Sequence, residues 1–151
     1  MKLMKLMKHL VKRYLRALSA KKPSSSEYID VDRVLGDDLF DLWQKLPIHD
    51  QAHSIVVWRR YLELRPHASR AEQSAVLLHD IGKIKSGLGI HARVFATVLG
   101  PRTKRLQMYS EHEVIGAAML ESLNADPLTV EIVRGEGQPE VQAALRQADT
   151  I

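Results

Sequence analysis

The sequence predicts an all-α fold, and three observations lead to this prediction. Apolar residues recur at helical spacing in every periodic segment, and no segment makes a convincing strand. Two Ser-x-x-Glu capping boxes and one Asp-Pro pair mark helix starts. The length of 151 residues fits one domain, and 45% hydrophobic with 26% charged residues is typical of a globular chain with a buried core.

The first predicted element is a basic amphipathic helix over residues 1–22, called the arm below. The arm carries eight Lys or Arg and no acidic residue, whereas the rest of the chain has 14 basic and 18 acidic residues. The basic character therefore belongs to the arm and does not indicate a nucleic-acid-binding domain. Three interpretations of the arm stay open: docking on the body of the protein, contact with an anionic membrane, and, least favoured, contact with nucleic acid. The apolar residues at helical spacing are Leu3, Leu6, Met7, Leu10, Val11, Tyr14, Leu15 and Leu18.

A linker over residues 23–29 and a single domain over residues 30–151 follow the arm. The linker is predicted from composition, because the run from Lys21 to Ser26 contains a proline and three serines.

Local start and stop signals divide the domain into helices. Ser69 with Glu72, and Ser110 with Glu113, form the two capping boxes, and Asp126-Pro127 places a proline at a first helical position. The predicted elements are short helices over about 30–46 interrupted at Gly36, a helix over about 50–64, a helix from the first capping box to near Gly82, a loop over 82–89, a helix over about 90–99, a basic irregular segment to 107, a helix from the second capping box to about 123, a helix from Asp126-Pro127 that breaks at Gly135, and a last helix from Pro139.

The pair His79-Asp80 is the strongest chemical signal. It follows four apolar residues and precedes Ile81, which indicates that the turn is buried. Burying an ionised carboxylate without a partner costs several kcal/mol or more, and a metal ion removes that cost. Neighbouring residues on a regular helix point about 100° apart, but they converge where a helix ends, and Gly82 supplies such an end.

Two further residues make a metal site the favoured interpretation of this pair. His53 lies on a helix with an apolar side, and Asp149 lies at the end of the last helix among apolar neighbours. Each has an ordinary structural interpretation when taken singly, as a hydrogen-bonded core histidine and as a C-terminal acid. The chain has no cysteine, so a metal site must use His, Asp, Glu and water.

This pattern resembles the HD-domain superfamily, whose members carry His, then His-Asp, then Asp on separate helices. The matching segments are Asp50-Gln51-Ala52-His53-Ser54, Leu77-Leu78-His79-Asp80-Ile81-Gly82-Lys83 and Ala148-Asp149. The resemblance covers roughly residues 46–151 and looks closest to the small stand-alone bacterial HD proteins. It implies an HD-domain helical bundle around one divalent metal ion and, commonly, hydrolysis of a phosphate ester.

The resemblance also implies roles for the site residues. The metal ligands would be His53, His79, Asp80 and Asp149, and the ion would be Mn, Fe, Co, Ni, Mg or Zn. Asp80 would orient or deprotonate the attacking water. Lys83 would steady a phosphate as a point charge, although a solvated lysine just past a helix end is nearly as good an interpretation.

His112 is a third candidate catalytic residue. It lies in a His-x-x-x-Gly element of the kind that contacts substrate phosphate or a second metal in some HD proteins. Dinuclear members carry a histidine-rich turn on the following helix, and the segment 132–136 has no histidine. We therefore favour contact with substrate over a second metal.

The predicted function is a metal-dependent phosphohydrolase acting on a small phosphorylated molecule, for which a nucleotide is one candidate. The alternative is a non-catalytic HD module that serves as a nucleotide sensor or a membrane-tethered scaffold.

No segment is apolar enough to span a membrane, and lysines interrupt any signal-peptide core. The expected location is cytoplasmic, with peripheral contact between the arm and an anionic membrane as an option and no specific nucleic-acid binding.

Overall fold

The computed structural model describes residues 19–86 and 111–150, together with Met4, Lys5, Lys8, Val11, Lys12 and Leu15 of the arm. Within this part of the chain the fold is all-helical, as predicted, and contains no strand. None of its helices has the length and hydropathy that crossing a bilayer requires. The elements are α1 (Ser25–Leu35), α2 (Asp37–Trp43), α3 (Ile48–Leu64), α4 (Arg70–Leu77), a 3-10 helix (Ile81–Ser86), α5 (His112–Ser122), α6 (Pro127–Arg134) and α7 (Pro139–Asp149).

Residues 87–110 lie outside the described part of the chain, so the helix predicted over 90–99 and the basic segment predicted after it stay predictions. The predicted amphipathic helix of the arm stays a prediction for the same reason. The six arm residues before Ser19 that the structure describes are helical and exposed.

Helix α1 begins earlier than predicted and takes in residues 25–29, which were assigned to the linker. Ser24 is the reason. Its hydroxyl accepts a hydrogen bond from the Glu27 amide, and the Glu27 carboxylate accepts one from the Ser24 amide at 2.8 Å. The serine-rich composition therefore marks a helix N-terminus with a capping box, and the linker prediction was wrong for these five residues.

A sharp bend at Gly36 separates α1 from α2, as predicted. Its φ of 74° lies in the region that favours glycine. The bend lets Tyr28 pack edge-on against Phe40 and Trp43, with ring centroids 6.3 and 5.7 Å apart. The Trp43 indole N–H then donates to the Ser54 hydroxyl at 2.9 Å, which fixes this aromatic cluster to α3.

Helix α3 packs against α4 and α7. Helix α4 also packs on α6, and α5 packs on both α6 and the 3-10 helix. Each helix places its apolar side toward a common core. The largest fully buried side chains of that core are Trp43, Tyr61, Ile55, Leu77, Leu78, Ile81, Leu120 and Ile132.

Helix α4 ends at Leu77, five residues before the predicted end near Gly82. Residues 78–80 form turns, and the 3-10 helix Ile81–Ser86 extends into the segment 82–89 that was predicted as a loop. The His79-Asp80 pair therefore leaves regular helical geometry before it reaches the glycine. This early end allows the two adjacent side chains to converge.

Gly82 has a packing role instead of a terminating one. A Cβ atom at Gly82 would overlap the carbonyl oxygen of His112 and lie 2.7 Å from the amide nitrogen of Gly116. The backbone of the 3-10 helix is therefore in direct contact with the first turns of α5. Only a residue without a side chain permits this approach.

The later helix boundaries mostly follow the sequence signals. Asp126 caps α6, its carboxylate accepting from the Leu128 amide at 2.8 Å, and Gly135 ends that helix with a φ of 85°. Helix α5 begins at His112 with Glu111 at the N-cap and no side-chain cap. The capping box predicted at Ser110 is therefore not the N-cap of α5, and Ser110 itself lies outside the described residues.

Candidate metal centre

Three elements bring the four predicted metal ligands together. His53 lies in the second turn of α3, His79 and Asp80 lie in the turn after α4, and Asp149 is the last residue of α7. Because α3 packs against both α4 and α7, the three elements meet close to His53.

His53, His79 and Asp80 form a group that could hold a metal ion. One ligand atom from each lies within 4.8 Å of the other two. Bonds of about 2.1 Å from nitrogen or oxygen to a divalent ion join ligand atoms up to about 4.2 Å apart, so small side-chain shifts suffice for coordination. Imidazole and carboxylate donors are ordinary ligands for such ions.

Asp149 adjoins this group through both of its histidines. Its Oδ1 atom lies 2.8 Å from Nε2 of His53 and 3.6 Å from Nε2 of His79. The Asp149 carboxylate is partly exposed, whereas His79 and Asp80 are buried. Asp149 is therefore the most exposed of the four predicted ligands.

The His79 ring is oriented to leave one nitrogen facing the group. Its Nδ1–H donates to the Val76 carbonyl oxygen at 2.7 Å, so a neutral ring carries its lone pair on Nε2. That Nε2 atom is buried and has no hydrogen-bond partner among the described residues. The nearest carboxylate oxygens, of Asp149 and Asp80, are 3.6 and 3.7 Å away, which is too far for a hydrogen bond. A buried nitrogen of this kind, with its ring fixed by a backbone carbonyl, is typical of a metal-ligating histidine.

Burial lowers the pKa of His79, but the carboxylates of Asp80 and Asp149 and the Val76 carbonyl outweigh burial and raise the pKa to about 9. Positive charge at Nε2 is therefore favoured by its surroundings. A proton and a metal ion are alternative ways to supply that charge, so the two compete for Nε2.

Asp80 is ionised, and the side chains of one lysine and two histidines surround its carboxylate. Burial raises its pKa, but Lys83, His79 and His112 together hold the pKa well below its usual value. Nζ of Lys83 lies 2.7 Å from Oδ2, and Nε2 of His112 lies 3.5 Å from Oδ1. Both predicted phosphate-contacting residues are thus placed beside the central carboxylate.

Lys83 is buried and forms an ion pair with Asp80. The interpretation of Lys83 as a solvated lysine beyond a helix end was therefore wrong. Its pairing with Asp80 was not predicted, although the three-residue spacing would place the two side chains on one side of a helical turn.

The role of Gly116 was not predicted. The contact between Gly82 and the first turns of α5 places His112 beside Asp80, and Gly116 provides the other half of that contact. The His-x-x-x-Gly spacing was the available signal, since it puts the glycine one turn beyond the histidine on the same side of α5.

The chain matches no family model, no curated protein and no solved structure. The fold and site define a helical protein with a group of histidine and aspartate side chains able to hold a cation. The resemblance to HD domains rests on the motif residues alone.

Proposed function

We propose that this protein is a metal-dependent phosphohydrolase of the HD type, with the ion held by His53, His79, Asp80 and Asp149. The observation that supports the proposal most is the buried Nε2 of His79, which has no hydrogen-bond partner within the part of the chain that the structure describes and faces two carboxylates. A cation at this place would satisfy the nitrogen and both acids at once. When bound, a divalent ion supplies polarisation of a phosphoryl oxygen and a lowered pKa for a water molecule.

The side chains of the chain itself would perform the remaining steps. Asp80 is ionised and so is able to accept a proton from the attacking water. Lys83 fixes the orientation of that carboxylate through Oδ2 and adds positive charge for an anionic substrate. His112 is partly exposed and lies beside the other oxygen, in a position to donate to a phosphate oxygen.

A non-catalytic HD module that binds a nucleotide or serves as a scaffold is the second candidate. The ion pair between Lys83 and Asp80 favours it, because a lysine held by a carboxylate at 2.7 Å is less available to a phosphate. The absence of histidine from residues 132–136 is in keeping with this candidate, since the dinuclear members of the family carry histidines there.

Metal binding and hydrolysis, measured on the same samples, test the proposal. The full chain is stripped with chelator and titrated with Mn²⁺, Co²⁺, Ni²⁺ or Mg²⁺, and a phosphomonoester and phosphodiester panel is then assayed. We expect Asp80→Asn to lower hydrolysis at least about 100-fold, in line with the effect of removing a general base. We expect His79→Gln to weaken metal binding, whereas His67→Ala, an exposed histidine, retains both properties.

Three outcomes separate the candidates. Metal-stimulated hydrolysis that depends on Asp80 supports the enzyme. Metal or nucleotide binding without hydrolysis of any substrate supports the non-catalytic module. Hydrolysis that is unchanged in Asp80→Asn, or failure of the wild-type chain to bind any of the ions, contradicts the proposal.

A further inference from the structure

The arm presents exposed apolar side chains next to exposed lysines. Met4, Val11 and Leu15 are 66%, 50% and 57% exposed, so the described part of the body does not cover them. Lys5, Lys8 and Lys12 are also exposed, and all six residues are helical.

On the continuous helix that the sequence predicts for the arm, these six residues share one side. At about 100° per residue, positions 4, 5, 8, 11, 12 and 15 fall within an arc of about 120°. The three apolar side chains fall in one half of this arc and the three lysines in the other, and together they form a single exposed surface, called the arm face below. A surface of this kind suits an environment that is apolar on one side and anionic on the other.

The charge of the arm differs from that of the rest of the chain. Residues 1–22 carry eight cations and no acid, whereas the remainder carries 14 basic and 18 acidic residues. The Ser19 amide donates to the Leu15 carbonyl oxygen at 3.1 Å, and Ser24 caps the next helix. The cationic segment is thus separated from α1 by a short irregular stretch.

We infer that the arm binds an anionic lipid surface, with Met4, Val11 and Leu15 at the boundary of the acyl chains and the lysines among the headgroups. Each basic residue near an anionic surface contributes about fivefold to partitioning, and burial of the apolar side chains adds to this. The inference concerns a different part of the chain from the metal centre and does not depend on it.

Three other occupants of the arm face fit less well. The body is acidic, but the exposure of Met4, Val11 and Leu15 leaves these apolar side chains in solvent. A second copy of the arm would bring eight cations against eight more. Nucleic acid would pair with the lysines, but its phosphate backbone gives no gain from burying aliphatic side chains.

Vesicle flotation with the full chain tests the inference. Phosphatidylcholine vesicles are compared with vesicles that also contain phosphatidylserine, at low and physiological salt. We expect binding only to the anionic vesicles. The double reversal Lys8→Glu with Lys12→Glu should weaken it at least about 100-fold, because four units of charge change at the surface. Val11→Ser with Leu15→Ser should weaken it about tenfold at unchanged net charge.

A matched control reverses two exposed cations of the body, Arg33→Glu with Lys45→Glu. It alters net charge as much as the arm reversal does. Because Arg33 and Lys45 lie outside the arm face, we expect its binding to stay near wild type. Equal losses in the two reversals would overturn the inference in favour of unspecific charge attraction. No binding of the wild-type chain to anionic vesicles would also overturn it. Tight binding to duplex nucleic acid that the serine variant leaves intact, with no vesicle binding, would assign the arm to nucleic acid instead.

Discussion

At the scale of single residues, the candidate centre combines groups that are costly to bury separately. His79 and Asp80 are both buried, and each is stabilised by charges of the opposite sign in its neighbourhood. Lys83 contributes most to this balance at Asp80, since its ammonium group is the nearest cation to the carboxylate. Removing one member of such a buried set leaves the others without compensation.

The first prediction concerns Lys83→Met. Loss of a buried partner should lower the free energy of unfolding by about 3 kcal/mol without metal. It should also raise the affinity for a divalent ion by about tenfold, because a competing cation is removed from Asp80. Hydrolysis should fall at least about tenfold if Lys83 orients that carboxylate or contacts phosphate. Chemical denaturation, calorimetric titration and the hydrolysis assay measure the three effects.

Lys85→Met provides the control, because Lys85 lies in the same 3-10 helix but is exposed. It should behave like the wild-type protein in all three measurements. A Lys83→Met variant with lower metal affinity than wild type would contradict the account of this ion pair.

At the scale of elements, a capping box and a close backbone contact place the site residues. The capping box of Ser69 and Glu72 begins α4, the helix that leads to His79. Glu72 also accepts from the Tyr61 hydroxyl at 3.0 Å and from Nε of Arg65 at 2.8 Å, which ties the start of α4 to α3. The contact of Gly82 with α5 fixes the other side of the site.

The second prediction is that Glu72 makes stability depend on pH. Burial raises the pKa of Glu72, but the Ser69 amide, Tyr61 and Arg65 outweigh burial and lower it. Its contribution is therefore fully present above the unfolded pKa, near 4.5, and is lost as the pH falls through the folded pKa. Glu72→Gln should cost about 1–3 kcal/mol at pH 7, and this cost should shrink on acidification.

Urea denaturation of wild type and variant at several pH values between about 3 and 7 measures this difference, within the usual titration range of carboxyl groups. Glu63→Gln is the matched control, since Glu63 is an exposed residue of α3. A cost for Glu72→Gln that stays constant over the whole range would show that the charge of Glu72 has no part in it.

The third prediction compares the two glycines of the contact with α5. Gly82→Ala should cost about 3 kcal/mol or more, because its Cβ would overlap a backbone carbonyl that cannot move freely. Gly116→Ala should cost less. Its Cβ meets neighbours at 3.1 to 3.3 Å, and alanine restores about 1 kcal/mol of helix propensity.

Denaturation midpoints with unchanged slope would measure both costs. Variants of equal stability, or a greater loss at Gly116, would show that the close approach of the 3-10 helix to α5 is not as tight as described.

At the scale of the whole molecule, the candidate centre joins parts of the chain that are far apart in sequence. His53 and Asp149 are 96 residues apart, and their side chains are 2.8 Å apart. A metal ion bound between them would link α3, the turn after α4 and α7. Binding to the folded state alone stabilises it by about 2.7 kcal/mol at a metal concentration 100 times the dissociation constant.

The fourth prediction follows from this linkage. Addition of metal should slow hydrogen exchange in the last turn of α7 and around His53 together, while α1 and α2 change little. Asp149→Asn should abolish the protection of α7 and leave part of that around His53. The control Asp41→Asn alters an exposed aspartate of α2 and should exchange like wild type. Protection confined to one element would contradict a centre shared among three.

The sequence by itself determined the helical class, most helix starts after residue 47 and the burial of His79-Asp80. These depend on interactions within a few residues, such as the capping box of Ser69 and Glu72 or the proline after Asp126. At Ser24 composition and spacing disagree: the proline and serines predict a linker, whereas Ser24 and Glu27 form a capping box that begins α1.

Only the tertiary structure decided that Asp149 lies beside His53 and that Lys83 pairs with Asp80. The contact of Gly82 with Gly116, which places His112 beside Asp80, was also decided there. The physical reason is that these contacts depend on how separate helices pack. A pattern in sequence shows which side of a helix is apolar, but the distances between side chains on different helices are set by the volumes that fill the core between them.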